Sequence, residues 1–207
     1  AMQMVASEAL QCPTLYMNGF GAHRIEGIGD KHVPWIHNVR NTDAVAAIDD
    51  EDTMRVFRLF NEPAGREVLA AYGVSSDVLE KLPLVGISGV CNLLASIKTA
   101  KYFELKENDV IFTILTDSSE MYTSRLQEMN AERGPFTRDH ALITYEGSLI
   151  KQGKEHYREL GYWDRKALHN LKYFTWVEQQ AKNPRDLDAL WEPETWDEIF
   201  SVVPEWE

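Results

Sequence analysis

The stretch Asp109-Val110-Ile111-Phe112-Thr113-Ile114-Leu115-Thr116-Asp117 decides how the chain reads as a fold. Its centre is β-branched, aromatic and apolar without alternation. That pattern predicts a strand buried on both faces, as at the centre of a parallel sheet. Working backwards, Leu84-Val85-Gly86-Ile87 runs into Ser88, and a helix is predicted from there to about residue 103. Leu93, Leu94, Ile97, Ala100 and Tyr102 make that helix mostly buried. Shorter helices are predicted over 76–82 and over 63–72, the latter begun by Pro63 and closed by Gly73. Ala44-Val45-Ala46-Ala47-Ile48 is a second buried strand. The run Asp49-Asp50-Glu51-Asp52 then places negative charge at the positive end of a helix over 50–61, with Met54, Phe57 and Phe60 at helical spacing. A short strand is predicted over 2–8. The order is strand, loop, strand, helices, helix, strand, which is an α/β class with a parallel sheet flanked by helices.

Beyond Asp117 the pattern turns helical. Helices are expected over 120–133, ended by Gly134-Pro135, then over 137–152, 154–161 and 162–182. The last has Trp163, Leu168, Leu171, Phe174 and Val177 as its apolar stripe. The division expected is an α/β portion, 1–125, and an all-helical extension, 126–207.

The 207 residues carry 21 Lys plus Arg against 33 Asp plus Glu, a net charge of −12. Such a surface repels a phosphate backbone, so no nucleic-acid partner is expected. No run of 18 apolar residues exists, and no membrane association is expected. Cys12 and Cys91 cannot build a disulfide framework. With no signal-peptide pattern at Ala1-Met2-Gln3-Met4, the expectation is a soluble protein of the reducing cytoplasm.

Candidate chemistry narrows quickly. His23, His32, His37, His140, His156 and His169 lack the i,i+4 helical spacing of a zinc-protease motif, and no metal site is expected. Gly19-Phe20-Gly21 lacks a third glycine and a following helix. Ser96 and Lys98 stand two apart in a helix and face opposite ways, so Lys98 reads as a surface lysine. Gly86-Ile87-Ser88-Gly89 leaves two alternatives open. Ser88 is either a helix N-cap or a ligand-facing hydroxyl at the carboxyl edge of the sheet, where open α/β folds bind ligands.

Four segments resemble one enzyme family. His23-Arg24-Ile25-Glu26-Gly27-Ile28-Gly29 with Val33-Pro34 resembles the H-x-I-x-G-I-G…P loop of the cysteine synthase and cystathionine β-synthase family. Val5-Ala6-Ser7-Glu8 is similar to the preceding strand that ends in Val-Glu-Pro. Gly86-Ile87-Ser88-Gly89 resembles the G-I-S-x-G turn, with glycine directly after the serine. Thr116-Asp117-Ser118-Ser119-Glu120-Met121-Tyr122 resembles P-S-S-G-E-R-Y, with Thr-Asp in place of Pro-Ser and Ser119 in place of Gly. The likeness covers roughly residues 4–125.

The resemblance implies pyridoxal 5′-phosphate as cofactor and the tryptophan-synthase-β-like architecture, fold type II. It implies β-elimination or β-replacement on a small amino acid. Ser88 would meet the pyridine nitrogen, with Gly86, Asp117 and Ser118 beside the cofactor. Gly27, Ile28 and Gly29 would line the substrate side. The family's Schiff-base lysine segment and Gly-rich phosphate cradle have no counterpart in these residues, so no catalytic residue is assigned. The chain is therefore expected to be the cofactor-ring half of a longer enzyme, inactive alone, partnered by a missing N-terminal half or a second copy. The alternative is a non-catalytic partner subunit or assembly module.

Overall fold

A computed structural model describes residues 2–206. The elements run β1 (Val5–Ala9), α1 (Thr14–Met17), β2 (Ala44–Ile48), α2 (Asp50–Asn61), α3 (Pro63–Ala71), α4 (Ser76–Lys81), α5 (Ile87–Tyr102), α6 (Thr123–Arg133), α7 (Arg138–Thr144), β3 (Tyr157–Glu159), α8 (Tyr162–Lys172), α9 (Pro184–Ala189) and α10 (Pro193–Ser201). Widened π-helical turns, Tyr145–Ile150 and Tyr173–Gln179, continue α7 and α8.

The class is α/β, but the sheet is small and mixed. β1 pairs in parallel with β2, from Val5 against Ala44 to Ala9 against Ile48. β3 lies antiparallel on the other side of β2, with Tyr157 against Ala46. Two expectations are corrected here: the sheet is not wholly parallel, and the extension is not all-helical, because residues 157–159 form a strand where a helix over 154–161 was expected. Tyr-Arg-Glu carries no apolar alternation, so only its register on β2 makes it a strand.

β2 is buried along its whole length because both faces are covered. On one face, Ala46 and Ile48 join Phe57 and Leu59 of α2, Val68 of α3 and Ile87, Val90 and Leu94 of α5 in the main core. On the other, Val45 packs with Val33, Val39, Leu160 and Leu168. The helix after β2 starts as the acidic run predicts, with the Asp49 side chain accepting from the Glu51 N–H.

The largest correction is residues 110–115. They form no strand, and the side chains of Val110 and Phe112 are 89% and 88% exposed. Continuous apolarity marks a segment suited to cover on both faces, but no strand among the described residues lies beside it. Trp163 and Phe174, expected in the buried stripe, also face outward, whereas Leu168 is buried. Lys98 departs in the opposite sense. It is buried, and its ammonium donates to the Glu155 carbonyl at the approach to β3, while Ser96 bonds its own helix at Asn92. No single helix among the described residues is long and apolar enough to cross a membrane.

Acid is expected to loosen the packing of α8 and the loop before β2. Burial and the nearby Lys172 cation hold His37 down to about 4. Burial, then Lys172, does the same for His169, also about 4, against the opposing Leu187 carbonyl. Both folded values lie below the ordinary 6.5, so their contribution is full above pH 6.5 and is lost as pH falls through about 4. Glu8 works the other way. Burial raises it to about 7 despite N–H groups of Leu15 and Tyr16 donating to it, so it stabilises as pH falls from 7 to 4.5. Two imidazoles outweigh one carboxyl. The urea midpoint should fall between pH 6.5 and 4, more steeply in Glu8→Gln; a flat profile would refute this balance.

Candidate functional site

Three of the quoted segments meet at the N-terminus of α5. Gly86 is the N-cap residue of that helix and offers no side-chain cap, so Ser88 sits inside the first turn. The N-cap alternative for Ser88 is thereby corrected. Ser88 is only 4% exposed, and its hydroxyl hydrogen-bonds the Thr116 hydroxyl at 2.9 Å. The Gly86 N–H donates to the Asp117 carbonyl at 3.0 Å, which ties the end of the 110–116 segment to the start of the helix.

Gly86 has ordinary extended backbone, φ −77° and ψ −175°, so its need for glycine is one of space. A Cβ there would lie 1.9 Å from Asp117 Oδ1 and 3.1 Å from the Tyr122 ring. Asp117 Oδ2 accepts from the Tyr122 hydroxyl at 2.5 Å. Asp117 Oδ1 is buried and has no hydrogen-bond partner among the described residues. Burial, reinforced by the Asp117 carboxylate, pushes the Tyr122 phenol up to about 12, so it stays a donor. Tyr122 packs edge-on against Phe57, which anchors the arrangement in the core. Ser118 is half-buried at the start of the short 3-10 turn Ser119–Tyr122.

The glycine loop approaches the same hydroxyl. Gly27 has φ +84°, and a Cβ on it would stand 3.8 Å from the Ser88 Cβ. Gly29 has φ +92°, and a Cβ there would lie 2.7 Å from His23 Nε2, which donates to the Gly29 carbonyl at 2.9 Å. A side chain at either position would be strained by that backbone. Ile28 turns inward onto the main core. The loop borders an open hollow of about 480 Å³ whose lining includes Gly27, Ile28 and Gly29 together with His23, Asp30 and Pro34. Of the residues singled out from sequence, Gly27, Gly86, Ser88 and Asp117 thus lie together, Ser118 adjoins them, and Ile28 and Gly29 line the hollow beside Gly27, with Ile28 also packed on the core.

Sequence reasoning did not single out Thr116, Tyr122 or His23 as partners of these residues. Thr116 and Tyr122 flank Asp117 inside a quoted segment. His23 and Gly29 are six apart in a loop, where no periodicity reveals a pairing. His32 and His37 each have a threonine partner. The first bonds Thr175 and the second Thr42.

Cysteine synthase B of Campylobacter jejuni subsp. jejuni is 31% identical over 123 residues, covering 59% of this chain and 34% of that protein. The chain therefore spans roughly a third of the length of the curated relative it matches. No family model matches the chain, and no solved structure matches it. The match supports a cysteine synthase-like relationship over part of the chain.

Proposed function

We propose that this chain forms the cofactor-ring side of a pyridoxal-phosphate enzyme of the cysteine synthase type, with fold type II architecture, acting by β-elimination or β-replacement on a small amino acid. The observation that carries this reading is the meeting of the quoted segments at the start of α5, where Gly27 approaches the Ser88 Cβ, the Ser88 hydroxyl pairs with Thr116 and the Gly86 N–H bonds the Asp117 carbonyl. The residues fit the cofactor's ring edge. Ser88 offers a neutral hydrogen-bond donor, the missing Cβ of Gly27 leaves room beside it, and Asp117 Oδ1 is an unpartnered acceptor. When bound, the cofactor supplies the electron sink for carbanion chemistry at the substrate. Ser88 would hold the pyridine nitrogen through a neutral hydrogen bond, and a hydroxyl there favours a less charged ring than a carboxylate would. Asp117 and Ser118 would flank the ring edge. The Gly27-Ile28-Gly29 backbone would face the amino acid and shift on closure, which its positive-φ glycines permit.

The lysine that carries the cofactor would come from outside these residues, in keeping with the fraction of the relative that the chain spans. The exposed 110–115 segment, with no strand among the described residues paired to the outer edge of β1, would dock that lysine-bearing part. The same exposed segment also favours a second reading, a non-catalytic assembly subunit, in which Ser88 would have no spectroscopic role. One experiment on the 207-residue chain alone tests the assignment. The chain is incubated with a low concentration of pyridoxal phosphate, reduced with borohydride and peptide-mapped, with sedimentation equilibrium and an apolar dye run in parallel. The expected result is no stoichiometrically labelled lysine, together with dye binding or self-association. Stoichiometric labelling of one lysine would contradict the ring-side assignment, and a dye-silent monomer at high concentration would contradict the docking surface.

A further inference from the structure

The loop that carries Gly27 and Gly29 runs without helix or strand from Asn18 until the 3-10 turn Val39–Asn41. A loop so long is held only by what it touches. Its first half is tied to the α/β core. Ile25 is fully buried there, the Arg24 N–H donates to Asp50, and the Thr14 hydroxyl donates to the Asp30 carbonyl. Its second half packs Val33 against Val45 and takes most of its polar contacts from the C-terminal helical region. Lys172, at the end of α8, is 1% exposed, and its ammonium donates to the carbonyls of Trp35 at 2.8 Å and His37 at 2.7 Å. The Trp176 indole N–H donates to the Val33 carbonyl at 2.8 Å, and Thr175 bonds His32 at 3.0 Å. The rings of Trp35 and Trp176 meet edge-on at 6.2 Å, with the Lys182 ammonium 4.9 Å from the Trp35 ring. Arg165 donates to the Arg40 carbonyl at 2.7 Å and to Asp43 at 2.9 Å.

Most of these contacts go to backbone carbonyls of an irregular segment, those of Val33, Trp35, His37 and Arg40. A buried ammonium is costly to desolvate, and the two carbonyls at Lys172 are what satisfies it. Leu168 alone would dock α8 on the second core, so burying a lysine here has another consequence: it fixes the path of the chain at Trp35 and His37. Gly27-Ile28-Gly29 is then held on the α/β core by Ile25 before it and by the Thr14 bond to Asp30 after it, and residues 33–37, with Pro34 on the wall of the same hollow, are held from the helical region.

We propose that the C-terminal helical region sets the position of the substrate-side glycine loop, with Lys172 and Trp176 as its positioning residues. The functional half of this inference rests on the reading that the loop faces the amino acid. The helical region belongs to the site's architecture and limits how far the loop travels toward Ser88.

Hydrogen exchange by mass spectrometry on the full 207-residue chain tests this. Lys172→Met removes both carbonyl contacts. Trp176→Phe removes only the indole N–H, keeps the aromatic bulk and guards against global unfolding of the first variant. Amides over 27–38 are expected to exchange roughly tenfold faster in Lys172→Met and about threefold faster in Trp176→Phe, with β1, β2 and α5 unchanged. Unchanged exchange over 27–38 in both variants, or acceleration spread equally over β1 and β2, would overturn the anchoring. A separate arm probes the functional reading. Pyridoxal phosphate with L-cysteine, added to the wild-type chain in its assembled enzyme, is expected to slow exchange over 23–30. Absence of that protection would overturn the substrate-side role, while the anchoring itself stands or falls on the variants.

Discussion

Replacing Gly65 with alanine is expected to destabilise the protein by about 3 kcal/mol, an overpacking cost at the upper end for a single methyl. Helix propensity alone favours the substitution by about 1 kcal/mol, since glycine is the poorer helix former. The geometry reverses that sign. A Cβ at Gly65 would lie 2.1 Å from the Leu59 carbonyl oxygen and 2.7 Å from the Leu59 Cα. These are backbone atoms of α2, which cannot rotate away as a side chain does. α3 begins directly after α2, with Glu62 capping both, and the Gly65 N–H donates to the Glu62 carbonyl at 3.0 Å. The close turn lets Leu59 and Val68 reach the same core. Relief of the clash means separating the two helices. A urea midpoint equal to or above wild type would contradict this packing.

Gly86→Ala is expected to damage the site more than the fold. The new methyl would displace the Asp117 carboxyl, whose position is held by the Tyr122 hydroxyl on one side and the backbone bond to Gly86 on the other. Loss of the Tyr122 contact and crowding of its ring should cost about 2 kcal/mol. The Tyr122 phenol, pushed up to about 12 by burial and the carboxylate, should titrate at lower pH once Asp117 moves away. Thermal unfolding and a ring-selective NMR titration of Tyr122 measure both effects. Unchanged stability with an unchanged phenol would mean that the turn has room to spare.

These two glycines show how far the sequence is legible. β1, β2 and the helices α2, α3 and α5 carry local signals, such as acidic caps, apolar spacing and a closing glycine, and they form close to where those signals put them. Residues 110–115 carry the strongest local signal of all and form no strand, because a parallel strand depends on neighbours that only tertiary structure supplies. β3 is the converse, a strand created by its neighbour alone. Lys98 reads as surface charge, yet it is buried on a carbonyl of a segment distant in sequence, as is Lys172, which carries no signal of its own. At the site, Gly27, Gly86, Ser88 and Asp117 were legible through their segments. The hydroxyl pair of Ser88 and Thr116 was not, because 28 residues separate its members.

The absorbance spectrum of pyridoxal phosphate bound to the enzyme proposed above, wild type against Ser88→Ala, tests the central claim most directly. Ser88 is not a helix cap, so its removal forfeits one hydroxyl pair with Thr116 and should cost only about 1 kcal/mol of stability. If Ser88 holds the ring nitrogen, the variant's cofactor absorbance shifts and turnover per folded molecule slows. An unchanged spectrum and an unchanged rate per folded molecule, beside a small loss of stability, would make Ser88 a packing residue and would contradict the assignment of this chain as the cofactor-ring side.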